Sequence, residues 1–191
     1  MTSTRVRVDL PRWLTAWQRS LPARLPDDRA AMRVALEACR RNIDAGSGGP
    51  FGAVVCAAAT GAWLAVGVNL VVRNRASVLH AEVVALTLAQ QRLDRDCLAA
   101  PGGVVLYTTT EPCAMCLGAI PWSGVTRLVC AARDADARGI GFDEGDKPRA
   151  WIAGLRRRGI DVTRSLMRDE AVALLEHYRQ VGGEIYGRRS H

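Results

Sequence analysis

Two short segments of the chain carry residue types that together can bind a metal ion. The first contains His80 and Glu82, and the second, further along, contains Cys113 and Cys116. An imidazole nitrogen and two thiolates are ligands that zinc prefers in proteins. Three protein ligands leave a fourth tetrahedral position open for water, which is typical of a catalytic zinc site. We therefore predict Zn²⁺ bound by His80, Cys113 and Cys116.

Glu82 has the position of a proton carrier rather than of a ligand. Zinc lowers the pKa of a bound water toward ~7, so hydroxide becomes available at neutral pH. On a helix, Glu82 would lie about 200° around the axis from His80 and would not compete for the metal. We predict that Glu82 accepts the proton of the water and returns it to the substrate.

The spacing of the two cysteines indicates a helix. Cys113 and Cys116 would lie one turn apart on one face. Pro112 fits the first turn of that helix, whose N-terminus would favour thiolates. An H-x-E segment followed by P-C-x-x-C matches the signature of the zinc deaminases. The alternatives are an ordinary reduced cysteine pair with a surface histidine, and a structural zinc module; the latter lacks a nearby fourth ligand.

Composition indicates one soluble globular domain. The chain has 191 residues, of which 49% are hydrophobic and 24% charged, so it can bury a full core. We find no signal peptide and no apolar run long enough to cross a bilayer, and we expect a cytoplasmic protein with reduced thiols. The net charge of +7 is compatible with an anionic partner, but no aromatic residues are interleaved with it, so we expect no nucleic-acid partner.

The order of predicted elements indicates an α/β fold. A short helical arm (residues 1–26) precedes the main domain (27–183), and a tail (184–191) follows it. Predicted helices cover residues 29–45, 80–93, 112–120, 148–158 and 169–181, and predicted strands cover 51–59, 63–72, 104–108, 125–132 and 160–164. Residues 133–147 are predicted to be loop. A hairpin followed by alternating strands and helices predicts a mixed sheet covered on both faces.

These motifs and this order resemble the cytidine deaminase-like superfamily over residues 27–181. The closer resemblance is to the bacterial guanine deaminase branch, which includes relatives that act on aminotriazines such as ammeline. The resemblance implies a three-layer α/β/α fold with a central mixed five-stranded sheet. It also implies a homodimer and a C-terminal tail that covers the active site.

The resemblance also implies substrate-binding residues. Asn69, eleven residues before His80, would hold the edge of the base through its carboxamide, which offers a donor and an acceptor. In the segment Gly-Phe-Asp-Glu-Gly, an acidic residue would be a second proton carrier or an acceptor for the edge of the substrate; we favour Glu144 and place Asp143 second. The alternative for Asn69 and for the acidic pair is an ordinary turn.

Two aromatic residues could form walls for a planar ring. Trp122 follows the cysteine helix, and Phe51 lies at the start of a strand. Either ring could stack on a base, and either could instead belong to the core or to an interface. Ala81, between His80 and Glu82, completes the predicted substrate-binding set.

We therefore predict a zinc-dependent hydrolytic deaminase of a free amino-heterocycle. Guanine, converted to xanthine and ammonia, is the preferred substrate, and aminotriazines share its donor edge. The alternatives are a tRNA adenosine deaminase, a cytosine or cytidine deaminase, and a guanosine deaminase.

Overall fold

One five-stranded mixed sheet forms the centre of the molecule. The computed structural model describes residues 7–187, so the outer parts of the predicted arm and tail lie outside the described residues. The strands are β1 (Gly52–Ala57), β2 (Trp63–Val68), β3 (Val104–Thr110), β4 (Arg127–Ala132) and β5 (Asp161–Thr163). Their order is β2-β1-β3-β4-β5. β1 is antiparallel to β2 and β3, whereas β3, β4 and β5 are parallel, which confirms the predicted hairpin and mixed sheet.

Helices cover both faces of this sheet. They are α1 (Arg12–Gln18), α2 (Asp28–Asp44), α3 (Val71–Asn74), α4 (Ala81–Leu93), α5 (Ala114–Ala119), α6 (Asp134–Gly139), α7 (Trp151–Arg157) and α8 (Arg168–Gln180). Alternate residues of a strand point to opposite faces. Val54 and Cys56 of β1 therefore pack in a core with α1, α2 and α8, while Ala53 and Val55 pack in a second core with α4 and α7. The predicted three-layer α/β/α fold is confirmed.

Two segments differ from the predicted pattern. The second strand ends at Val68 rather than at residue 72, because the Asn69 side chain accepts a hydrogen bond from the Val71 amide and the chain turns into α3. Residues 133–147, predicted as loop, contain α6. The Asp136 carboxylate accepts a hydrogen bond from the Arg133 amide at 2.8 Å, which caps the first turn of this helix.

The described part of the N-terminal arm packs on the main domain of its own chain. Leu14 of α1 is fully buried, and Trp13 Nε1 donates a hydrogen bond to Ser47 Oγ at 3.0 Å. The arm continues to an isolated β-bridge between Arg24 and Ala62. Among the described helices, none has both the length and the apolar character needed to cross a membrane.

Four cysteines lie outside the predicted metal site. Cys39, Cys56 and Cys130 are buried, Cys97 is exposed, and all of them are free thiols. Burial raises the pKa of Cys56 and Cys130 to about 12, so these two thiols stay protonated.

Candidate active site

The three predicted metal ligands lie together at the starts of two helices. His80 is the N-cap of α4 and Cys113 is the N-cap of α5, both with extended backbones, and Cys116 lies in the first turn of α5. The ligand atoms of His80, Cys113 and Cys116 are all within 4.8 Å of one another. One imidazole nitrogen and two sulfur atoms, grouped this closely with no fourth protein ligand among the described residues, fit a catalytic zinc ion.

The cap positions correct one detail of the sequence prediction. The cysteine helix begins at Ala114, so Pro112 lies outside it rather than in its first turn. Neither His80 nor Cys113 uses its side chain to cap its own helix. Both side chains are therefore left available for a metal ion.

The electrostatic surroundings favour a thiolate at Cys113. A hydrogen bond with Cys116 lowers the pKa of Cys113 to about 4 against the effect of burial, and His80 contributes in the same direction. The same hydrogen bond, together with burial, raises the pKa of Cys116. Of the two thiols, Cys113 thus ionises first.

Beside this cluster lies a cavity whose lining includes three buried carboxyl groups, those of Glu82, Glu111 and Glu144. Its lining consists of Phe51, Gly52, His80, Glu82, Thr108, Thr109, Thr110, Glu111, Cys113, Phe142, Asp143, Glu144, Tyr186 and Gly187. Burial raises the pKa of Glu82 to about 7, and the nearby Cys113 adds to the effect. Burial also raises the pKa of Glu144 to about 8, with contributions from Cys113 and Glu82. Carboxyl groups with pKa values near neutrality are suited to proton transfer.

Most predicted site residues border this cavity, but Trp122 does not. Its side chain is 78% exposed and lies in a short 3₁₀ helix, Ile120–Trp122, that leads away from α5. It lines a separate surface groove that also contains Leu117 and Trp151. Trp122 is therefore placed outside the cavity lining of its own chain, and its stacking on the base stays a prediction.

Asn69 and Ala81 are buried and do not line the cavity. The Asn69 Oδ1 atom accepts a hydrogen bond from the Val71 amide at 3.2 Å, while its buried Nδ2 atom has no partner among the described residues. One donor of Asn69 is therefore free for a ligand. Ala81 packs against β2, where a side chain at Gly67 would meet the Ala81 carbonyl oxygen.

The aromatic wall of the cavity consists of residues that the sequence interpretation largely missed. The ring centroids of Phe51 and Phe142 are 4.9 Å apart, and those of Phe142 and Tyr186 are 5.1 Å apart. Tyr186 lies over Gly49, where an added Cβ would come within 2.6 Å of its hydroxyl oxygen. The only signal for Tyr186 is one aromatic residue in a tail expected to cover the site. That tail reaches the cavity of its own chain, at least as far as Gly187.

Glu111 is a second buried group that the sequence interpretation missed. It directly precedes Pro112 and is 4% exposed. Its Oε1 atom accepts a hydrogen bond from Arg164 Nε at 2.5 Å, and its Oε2 atom accepts one from the Asp134 amide at 3.1 Å. Glu111 thereby attaches the segment before the cysteine ligands to α6.

Behind Asn69, a buried polar network connects the N-terminal arm to the cavity. Asn42 Nδ2 donates to the carbonyl oxygens of Gly49 and Asn69, both at 2.9 Å. Asn42 Oδ1 accepts from Ser47 Oγ at 2.7 Å, and Ser47 Oγ in turn accepts from Trp13. Asn42 therefore holds two backbone positions: Asn69, which directly follows β2, and Gly49, which lies beneath Tyr186.

Comparisons with known proteins identify related sequences and structures. The family model for the cytidine and deoxycytidylate deaminase zinc-binding region matches residues 25–132. Guanine deaminase of Bacillus subtilis is 41% identical over 117 residues, which are 56% of this chain and 69% of that protein.

Solved structures extend the likeness to nearly the whole chain. The structure described as guanine deaminase from Nitrosomonas europaea is 45% identical, with a TM-score of 0.88 over 94% of this chain and 99% of that one. A variant of the protein named NE0047, in complex with 8-azaguanine, is 45% identical, with a TM-score of 0.89 over 95% and 99% of the two chains.

Proposed function

The chain belongs to the cytidine and deoxycytidylate deaminase zinc-binding family, and we propose that it is a zinc-dependent aminohydrolase that converts guanine to xanthine and ammonia. The observation that carries the proposal is the shared cavity of Glu82 and Glu144 beside the metal-ligand cluster. The family predicted from the sequence is confirmed. This chain is similar to a guanine deaminase over nearly its whole length, and this similarity supports guanine as the base.

His80, Cys113 and Cys116 would hold the zinc ion. When bound, zinc would act as a Lewis acid and lower the pKa of a bound water toward ~7. Glu82 lies in the first turn of α4, is 8% exposed and faces the same cavity. With a pKa of about 7, its carboxyl group both accepts and releases a proton at neutral pH. We assign Glu82 two proton transfers, and in each it accepts a proton that comes from the attacking water. The first goes to the ring nitrogen, and the second goes to the amine that leaves as ammonia.

We propose that Glu144 accepts hydrogen bonds from the donor edge of guanine. Guanine presents two adjacent donors, its ring N–H and its exocyclic amine. A carboxylate accepts both, and these donors would favour its ionised form over the protonated form that burial favours. Asp143, the second acidic candidate, is exposed and accepts a hydrogen bond from the Gly145 amide at 2.8 Å, so its carboxylate supports the turn.

The remaining walls of the cavity suit a small planar base. Phe51, Phe142 and Tyr186 offer ring faces and edges to an aromatic ligand. Asn69 does not belong to this lining, so a contact between its unpaired Nδ2 group and an acceptor of the base stays a prediction from the sequence. Tyr186 and Gly187 of the tail also line the cavity, and a site lined by the tail of its own chain favours a free base over a base within tRNA. Aminotriazines with the same donor edge remain predicted substrates.

A homodimer is proposed on the side of the molecule that carries α5. Trp122 is 78% exposed and Met115 is 37% exposed there. Large apolar side chains at a surface mark interaction sites when they occur together. Light scattering should give a mass well above the 20.7 kDa of one chain, and a monomer mass would contradict this proposal. The cytoplasmic location expected from the sequence stays a prediction.

The function is tested by ammonia release from purified, zinc-loaded protein. The panel contains guanine, guanosine, ammeline, cytosine, cytidine, adenine and a tRNA with adenosine at the wobble position. We expect the highest kcat/KM for guanine, with xanthine as the product. A higher value for cytosine or for the tRNA would contradict the proposal.

A further inference from the structure

Lys147 is the only lysine of the chain, beside 25 arginines. It is also unusually buried. Its side chain is 8% exposed, whereas the ion-paired arginines of residues 7–187 have side chains that are 32% to 59% exposed. A chain that uses arginine for every other cation has an ammonium group only at this position, in the segment that follows Glu144.

Three groups surround the Lys147 ammonium. Its Nζ atom lies 2.6 Å from Asp134 Oδ1 and donates a hydrogen bond to the Pro112 carbonyl oxygen at 3.0 Å. It also lies 5.7 Å from the ring centroid of Trp151. A buried charge requires such partners, because the loss of hydration is unfavourable unless an opposite charge and hydrogen bonds replace it.

These contacts attach the Glu144 segment to both neighbours of a metal ligand. On one side of Cys113, Lys147 holds the Pro112 carbonyl. On the other side, the Ala114 amide donates a hydrogen bond to the Glu144 carbonyl oxygen at 2.9 Å. The backbone around Cys113 and the backbone around Glu144 are thus fixed relative to each other at two points.

Asp134 anchors this arrangement to α6. Its Oδ2 atom accepts a hydrogen bond from Arg138 Nε at 2.6 Å, and Arg138 Nη2 donates to the Gly145 carbonyl oxygen at 2.7 Å. The Asp134 amide is bonded to Glu111. Lys147 is the member of this network that reaches the metal-ligand segment directly.

The shape of the ammonium group explains why lysine occupies this position. An ammonium is compact and directs three donors tetrahedrally, whereas a guanidinium is a planar fork. Arginine at this position would bring a larger planar group into a side-chain environment that is already closed, and overpacking displaces backbone. Arginine would therefore keep the positive charge at this position without restoring the contacts of Lys147.

We propose that Lys147 is a positioning residue that holds Glu144 and the Cys113 segment in the fixed arrangement needed for catalysis. This rests on the proposed function, in which both groups act on one base. Lys147 does not line the cavity and is not expected to touch the substrate.

The test compares Lys147→Met and Lys147→Arg with the wild type. The control is Arg179→Met, which removes an ion-paired cation from the exposed surface of α8. We expect both Lys147 variants to retain stoichiometric zinc. We expect Lys147→Met to lower kcat for guanine about 100-fold, as small misplacements of catalytic groups do. KM should rise in the same variant, because the displaced Glu144 is the proposed contact with the edge of the base. Lys147→Arg should also lose most of the wild-type kcat for guanine.

Hydrogen exchange provides a readout that does not depend on turnover. In both Lys147 variants the Ala114 amide should exchange faster, because its acceptor on Glu144 is no longer held, whereas amides of β3 should be unchanged. The control should match the wild type. Full activity and normal Ala114 exchange in Lys147→Arg would overturn the proposal, as would loss of zinc in parallel with activity.

The same design separates the two proposals. If the wild type does not deaminate guanine, the proposed function fails, whatever the variants do. If the Ala114 amide of Lys147→Met exchanges as slowly as in the wild type, the proposed role of Lys147 is overturned. The proposed function is then unaffected.

Discussion

His80 Nδ1 lies 3.4 Å from Cys113 Sγ, and the two residues are the N-caps of α4 and α5. Each follows a different strand of the sheet, so the approach of the two side chains depends on the fold and not on a local turn. Both helices belong to the same face of the sheet. The sheet thereby brings two distant segments of the sequence into one ligand cluster.

Loss of either cysteine should release zinc. In Cys113→Ala or Cys116→Ala, two ligand atoms remain, and we expect zinc content, activity and thermal stability to fall together, because metal binding is coupled to folding. Metal analysis and thermal unfolding of the purified variants measure this. Cys97→Ala, at an exposed free thiol, is the matched control and should resemble the wild type. Stoichiometric zinc in either ligand variant would contradict the assignment.

Glu82→Gln should keep zinc and lose the reaction. The amide preserves the shape of the side chain but does not shuttle protons, and general acid–base groups contribute roughly 10²–10⁴-fold. We expect a fall in kcat of at least this size with unchanged metal content, measured by ammonia release and by elemental analysis. Near wild-type turnover in a zinc-loaded variant would exclude Glu82 from proton transfer.

The sequence predicts the residues of local motifs far better than the residues that the tertiary structure adds. His80, Glu82 and both cysteines carry their chemistry in their spacing. Tyr186 lies in the tail, more than a hundred residues away from His80, and approaches it only because the chain after α8 returns across Gly49. No periodicity in the sequence encodes that return.

For Trp122, the sequence leaves open whether the ring stacks on the base or belongs to the core or to an interface. Its position beside the cysteine helix predicts a place near the substrate, but the 3₁₀ turn directs its ring to solvent. The five-stranded sheet, in contrast, was predictable, because alternating apolar strands and amphipathic helices constrain one another. The short α6 was not, since its cap depends on the contact between Arg133 and Asp136.

Asn42→Ala should disturb the substrate site by releasing the backbone of Gly49 and Asn69. It would remove the side-chain donor from the carbonyl oxygens of Gly49 and Asn69. The Gly49 oxygen keeps the Phe51 amide as a donor, so the Asn69 oxygen is the group left unsatisfied, at a cost of about 1–3 kcal/mol. We expect a lower free energy of unfolding in urea and a higher KM for guanine, with zinc retained. Asn74→Ala, at a partly exposed asparagine of α3, is the control and should have a smaller effect. An unchanged KM would separate Asn42 from the site.

Acid should weaken the ion pair between Asp28 and Arg127. The hydrogen bond from Arg127 lowers the pKa of Asp28 below 3.8 against the effect of burial, and the Tyr107 hydroxyl contributes too. The folded state therefore favours the carboxylate. The resulting stability is present above pH 3.8 and is lost as the pH falls through the lower folded-state pKa.

Asp28→Asn should remove this dependence. Urea unfolding of metal-free wild type and variant, measured from neutral pH down into this range, gives the difference between their free energies of unfolding. We expect the difference to be constant above the window and to shrink within it. Parallel curves at all pH values would show that Asp28 does not contribute in this way.

Glu144→Gln should reduce guanine turnover strongly while zinc content stays unchanged. Glu144 is 6% exposed and borders the cavity, and in the proposed function its carboxylate would face the donor edge of guanine. Glutamine would place an N–H₂ group against those donors, and sites with unsatisfied polar groups discriminate by roughly 10⁴-fold or more. Asp143→Asn should have a smaller effect, because Asp143 is exposed and its Oδ1 atom supports the Gly145 turn. Steady-state kinetics with guanine, adenine and cytosine measure both variants. If Asp143→Asn is the severe change and Glu144→Gln the mild one, the two roles are exchanged. If neither affects guanine turnover, the acidic segment does not select the base, and pyrimidine or tRNA substrates become the better alternatives.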